Sequence, residues 1–293
     1  MMRRVVDWWI TPIPLARIAF LRLAVYLFLI FDVMRLSNDV IPHGYAPELY
    51  DPTFLARFFQ LPAPTPEAGH VLRAIIIGGA IVVGSGRLPR LGGWTVAAAF
   101  QIWLLYSIGF GYVYHDHMAL AIACWVLPTV GRAGFSDQRR SEGAGWAVRC
   151  IQVAVVLTYV GSAFMKWIRS GSPITWANSS VFTWAIMRRG TDLARWTLEQ
   201  PAVLRVAQWV LILAEFASPI VLFLKGRLLA ISILFFLSFH LMTFLALGIH
   251  FLPTVICWLA FMPLERLVPW AERRGAARLW REGRQPADPE PIA

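Results

Sequence analysis

The chain has 293 residues, of which 58% are hydrophobic and 14 are Trp, with a mean hydropathy of +0.58. A soluble domain of this size has too little interior for so much apolar surface, so composition excludes that class and predicts an all-α integral membrane protein. The net charge of +10 is explained by basic cytoplasmic loops and contact with an anionic lipid surface, and no nucleic-acid partner is inferred from it.

Met1 to Asp7, followed by Pro12 and Pro14, is too short and too broken for a cleavable signal peptide, so the first span is expected to act as a signal anchor. A span needs about 20 apolar residues, fewer where neighbouring helices shield it. On that basis about eight spans are expected, at 17–36, 71–86, 94–113, 117–130, 147–167, 202–224, 228–247 and 250–264. The second is weakened by Gly78, Gly79 and Gly84, and the fourth and eighth are short. Short or irregular pieces survive at membrane depth when protein or a wet cavity surrounds them. Residues 1–264 therefore read as one transmembrane domain and 265–293 as a basic cytoplasmic tail with a Pro-rich end.

Arg3 and Arg4, Arg87 and Arg90, Arg132, Arg139 and Arg140, and Lys225 with Arg227 fall on one side of this arrangement. The positive-inside rule makes that side the cytoplasm, with both termini there and the protein multi-pass in the cell's inner (plasma) membrane. The 37–70 loop, with Asp39, Glu48, Asp51 and Glu67 against Arg57, fits the outside. The 168–201 loop dissents with Arg169, Arg188, Arg189 and Arg195, but is long enough to fold by itself. Trp176, Ser180, Trp184 and Met187 recur at helical spacing, which predicts an outer amphipathic segment lying as a lid in the headgroup plane. An ordinary interfacial aromatic belt is the alternative. Cys124, Cys150 and Cys257 are scattered through apolar runs and read as buried free thiols.

Lys166 is the most informative side chain. Only it and Lys225 are lysine among the 27 Lys plus Arg, and it lies in the apolar run 151–168. Arginine stays protonated in a protein, whereas a desolvated lysine can lose its proton. An ionisable group at membrane depth is a functional-site hypothesis, set against a lysine that snorkels to the interface. The span assignment brings His115, His117, His240 and His250 to the same leaflet as Lys166. His115-Asp116-His117 lacks the ligand count of a metal site, and on a helix its imidazoles point about 200° apart. No metal is expected; a proton-handling role fits better. Asp32 and Glu215 are costly within spans unless paired, and Arg17, Arg22 and Arg35 are the expected partners of Asp32. Nucleophile-elbow, phosphate-loop and dinucleotide fingerprints are missing from the sequence.

Two stretches resemble one family. Tyr159-Val160-Gly161-Ser162-Ala163-Phe164-Met165-Lys166, with Trp176 beyond, resembles the tyrosine–glycine–lysine segment of the vitamin K-dependent gamma-carboxylase family, within the wider HTTM (horizontally transferred transmembrane domain) group. Tyr114-His115-Asp116-His117-Met118-Ala119-Leu120 resembles the family's asparagine–histidine segment. Arg17-Ile18, Arg22-Leu23 and the 131–137 turn also look like parts of that domain, and the likeness covers most of residues 15–265.

The resemblance implies Lys166 as catalytic base and His117 as its partner, with Tyr159, His115, Trp176 and His240 around a lipophilic cofactor. It implies a reduced naphthoquinone (menaquinol or vitamin K hydroquinone), oxygen as oxidant, epoxide as product, and carbon dioxide for coupled glutamate carboxylation of an extracytoplasmic protein or peptide. The chain departs from the family in Ser162-Ala163-Phe164 before the lysine and Trp167 after it. Residues 265–293 also stand where the carboxylase carries a large extracytoplasmic domain. A non-enzymatic maturation or scaffold factor of the sporulation-delaying B type is the alternative. A transporter would be favoured by inverted repeats, which the span pattern lacks.

Overall fold

The computed structural model describes residues 2–112 and 115–268, and the chain there is predominantly helical. Helix α1 (Met2–Trp9) sets Val5, Val6 and Trp9 on one side and Arg3, Arg4 and Asp7 on the other, an amphipathic pattern suited to an interface. The Arg149 guanidinium lies 4.5 Å from the centre of the Trp8 ring. Two residues, β1 (Ile13–Pro14), then pair antiparallel with β2 (Arg140–Ser141) in the register Ile13↔Ser141 and Pro14↔Arg140. This small sheet is an addition to the all-α expectation.

Helix α2 (Leu15–Phe31) runs into a π-turn over Asp32–Leu36. Helix α3 (Pro66–Gly84) starts with Pro at its first position and Thr65 Oγ1 accepting from the Ala68 amide at 3.2 Å, both good helix starts. Helix α4 (Leu91–Gly109) follows. Helix α5 (Met118–Val126) is flanked by 3₁₀ turns at His115–His117 and Leu127–Thr129. The long α6 (Glu142–Ser170) starts at Ser141 and ends at Gly171, whose φ of 80° suits a residue without Cβ. Helix α7 (Ser180–Arg189) lies in the connection between α6 and the next long helix. Helix α8 (Pro201–Ala217) turns 3₁₀ over Ser218–Phe223, where Pro219 removes a backbone donor. Helices α9 (Gly226–Leu247) and α10 (Leu252–Cys257, then 3₁₀ to Phe261) close the bundle.

Five helical stretches are long and apolar enough to cross a membrane: α3, α4, α6, α8 with its 3₁₀ end, and α9. In α9 only 17% of the most apolar stretch is buried inside the protein, which leaves the rest as a lipid-facing surface. The protein is therefore an all-α, multi-pass membrane protein in contact with the bilayer. The first, fourth and eighth expected spans are helical, with α-helix of 17, 9 and 6 residues respectively.

In lipid, helices gain little from apolar burial against one another, so close packing and buried hydrogen bonds carry the association. Ile18, Leu21, Tyr26, Leu29, Phe100, Trp103 and Trp258 form its fully buried centre. Of the three glycines expected to weaken α3, Gly79 instead permits its packing on α4, as does Gly92 from the α4 side. A Cβ on Gly79 would strike Val96 Cγ2, and one on Gly92 would come within 2.9 Å of Val83 Cγ2.

Arg22 is buried and does not pair with Asp32. Its Nη2 donates to the carbonyls of Val130 (2.7 Å) and Gly131 (3.0 Å), closing the end of the turn after α5 where acceptors are left over. Arg17 pairs instead with Glu265 (2.6 Å). Glu265, expected to begin the tail, is thereby docked on the bundle, while residues 269–293 lie outside the described residues. The expected continuous helix from Trp176 to Met187 is two pieces, Pro173–Trp176 and α7, separated at Ser179, whose φ is 81°.

Candidate functional site

Lys166 lies on the last turn but one of α6, one turn after Ser162 and on the same face. Its ammonium meets both carboxylate oxygens of Glu215 from α8 and donates to Ser162 Oγ at 2.9 Å. Ser162 Oγ also donates to Glu215 Oε1 at 3.2 Å. Trp176 covers the site, with its ring centre 5.0 Å from Lys166 Nζ and its carbonyl held by Gln208 Nε2 at 2.9 Å. The side chains of Lys166 and Glu215 are 19% and 5% exposed. The lysine thus points into protein, and the snorkelling alternative does not describe it. The pair is neutral overall whether its members are ammonium and carboxylate or amine and carboxylic acid, which lowers the cost of burying it.

A second group lies on α6 and α9. The Trp258 indole donates to Tyr159 Oη at 2.9 Å, and Tyr159 Oη lies 2.6 Å from His240 Nε2. An indole nitrogen only donates. The phenol therefore accepts from Trp258 and satisfies its own proton by donating to Nε2. That places the His240 proton on Nδ1, which is buried and has no hydrogen-bond partner among the described residues. The His240 ring packs against Phe251 at 5.2 Å, and Phe251 in turn lies 5.9 Å from the exposed ring of His115.

A third group holds His117. Its Nε2 lies 2.9 Å from Asp32 Oδ1 and its Nδ1 3.2 Å from Asp116 Oδ1. Asp32 also accepts from Ser37 Oγ at 2.8 Å, and the Trp103 indole donates to Ser37 Oγ at 3.1 Å.

Among the described residues, no hydrogen bond joins Lys166 to His117, and the expected convergence of the histidines on the lysine resolves into these separate groups. Tyr114 lies outside the described residues. His250 sits at the α9–α10 turn with Nδ1 buried and without a hydrogen-bond partner among the described residues. Among the described residues no cluster of three His, Cys, Asp or Glu has the arrangement of a metal site. An open apolar groove of about 310 Å³ is lined by Phe164, Trp167, Ile168 and Gly171. These residues occupy the face of α6 turned away from Lys166, towards lipid.

Reading the sequence alone missed Glu215 as the lysine's partner and assigned Asp32 to arginines. The available signal was the cost of leaving either carboxylate unpaired in a span. Comparison of the chain with protein-family models, curated proteins and solved structures gives no match.

Proposed function

We propose that the chain is a multi-pass membrane enzyme that takes a proton from a reduced naphthoquinone at the Lys166–Glu215 pair. The observation that carries this reading is a lysine at the outer end of α6, buried against a carboxylate and roofed by Trp176. The resemblance of 159–166 and 114–120 to the carboxylase membrane domain supplies the ligand class. When bound, the hydroquinone supplies an acidic O–H and a ring that oxygen oxidises to an epoxide, with water as the other product.

Glu215 shares the base role that the resemblance gives to Lys166 alone. Proton uptake leaves ammonium and carboxylic acid whichever way the pair started, so the lysine becomes the acceptor only while Glu215 holds the pair's proton. The protonated Nδ1 of His240 offers a donor to a ring oxygen, within aromatic walls that include Phe251. The outer pieces 173–176 and 180–189 serve as the lid through which a lipophilic ligand enters sideways. In this reading the chain crosses the inner membrane eight times, both termini are cytoplasmic, and the shorter helices α2, α5 and α10 are shielded by their neighbours.

The test is purified protein in lipid nanodiscs, supplied with reduced menaquinone or vitamin K and oxygen, with epoxide quantified. Wild type is expected to form epoxide. Lys166→Arg and Glu215→Gln are expected to lose roughly 100-fold or more, the scale of general-base catalysis. A wild type that forms no epoxide overturns the reading. A glutamate peptide with labelled carbon dioxide in the same assay tests for coupled carboxylation. The non-enzymatic maturation or scaffold reading draws on the exposed cluster of Phe54, Phe58 and Phe59 in the outer loop, which would meet a partner protein.

A further inference from the structure

Asp32 belongs to the π-turn that ends α2, and His117 to the 3₁₀ turn that opens α5, 85 residues later. Both are buried, Asp32 fully, while Asp116 is the most accessible of the three acid and imidazole groups. We propose that Asp32 is a positioning residue that holds His117 with Nε2 protonated, so that Nδ1 exchanges a single proton with Asp116.

The direction of the hydrogen bonds carries this inference. Trp103 Nε1 can only donate, and it donates to both the carbonyl (2.8 Å) and Oγ (3.1 Å) of Ser37. Ser37 Oγ therefore spends its own proton on Asp32 Oδ2 at 2.8 Å. With Oδ2 accepting from Ser37, Oδ1 is the oxygen turned to His117 Nε2 at 2.9 Å, and in the proposal Asp32 is the carboxylate whose Oδ1 accepts from Nε2–H. The π-turn, which inserts an extra residue into the helix, brings Ser37 and Asp32 together; the Ser37 amide bonds to the Asp32 carbonyl at 2.9 Å.

The other imidazole nitrogen faces Asp116 Oδ1, and one proton lies between them. It rests on Nδ1, giving imidazolium and carboxylate, or on Oδ1, giving imidazole and carboxylic acid. The three groups carry −1 in both arrangements, so the transfer from Nδ1 to Oδ1 moves a proton without changing the net buried charge. The other titratable groups facing them are Cys124 of α5, within reach of Asp32, and His240 of α9, within reach of Asp116. Thr254 of α10 holds the Asp116 carbonyl at 2.8 Å and fixes that end. The triad is thus a proton store whose most accessible member is Asp116. It does not depend on the hydroquinone reading, since its test reads the nitrogens of His117 and not the chemistry at Lys166.

Full-length protein labelled with ¹⁵N-histidine in nanodiscs gives the test by NMR, with His117→Gln identifying the signal. In wild type Nε2 is expected to carry its proton across the pH range in which the protein stays folded, while the Nδ1 resonance shifts with pH. Asp32→Asn must still accept from Ser37 and so turns its amide N–H towards His117, which inverts the tautomer and abolishes the Nε2–H signal. Asp32→Glu keeps it. Asp116→Asn leaves Nε2 protonated and removes the pH dependence of Nδ1. An unprotonated Nε2 in wild type overturns the proposal without any variant, as does an Asp32→Asn spectrum identical to wild type.

Discussion

Lys166 and Glu215 stand 49 positions apart in sequence and meet through both carboxylate oxygens. Removing one partner leaves the other charged and desolvated, whereas removing both leaves apolar packing. Lys166→Met is therefore expected to destabilise the protein by about 3–5 kcal/mol. The double variant Lys166→Met with Glu215→Leu should return to within about 1 kcal/mol of wild type or exceed it, while remaining inactive. Thermal unfolding in detergent checks the order; a double variant less stable than the single one contradicts it. Lys166 was legible in the sequence because an amine interrupts an apolar run, and Glu215 and Asp32 were legible as carboxylates needing company. Their partners were not, since pairing across 49 or 85 residues depends on how the helices assemble. Arg17, Arg22 and Arg35 were nearer Asp32 in sequence, yet Arg17 and Arg22 point to Glu265 and to free carbonyls.

Among elements, the α3–α4 contact depends on the absence of a side chain at Gly79. Gly79→Leu drives atoms into Val96 and is expected to cost about 1–3 kcal/mol, read as a lower midpoint of unfolding. An unchanged midpoint would mean that the helices part freely. In the loop before α6, Asp137 has its carboxyl held below the usual range by hydrogen bonds from Arg139. A depressed carboxyl stabilises the closed loop above its unfolded value, near pH 4, and loses that contribution as pH falls through the folded one. Hydrogen exchange at Leu15 and Ala16, whose amides bond the carbonyls of Arg139 and Asp137 at 2.9 and 2.8 Å, should therefore accelerate below about pH 4. Asp137→Asn should show the faster exchange already at neutral pH. Hydropathy located the five helical stretches long enough to cross a membrane and found helix at the three shorter expected spans; it could not foresee that α5 and α10 hold few α-helical residues or that Ser179 splits the 173–189 segment, because those breaks answer to packing.

For the whole molecule, large apolar side chains cover the outward faces of the bundle as well as filling its centre, the excess that composition alone had indicated. Orientation is the next property to measure. Ser136→Cys and Glu199→Cys, in a background without the three native cysteines, should react with impermeant reagents from opposite sides, Ser136 from the cytoplasm. Equal reactivity from one side would require an odd number of crossings between them to be wrong. The base of α2 also carries a consequence for assembly order. Its first amides bond residues 137 and 139, and Arg17 closes on Glu265, 248 positions downstream. At roughly 5–20 residues per second of synthesis, that last bond waits on the order of 10–50 s after Arg17 is made. The Arg17–Glu265 contact is thus the last of these bonds at the base of α2 to form, and a nascent chain interrupted before residue 265 leaves the ribosome without it.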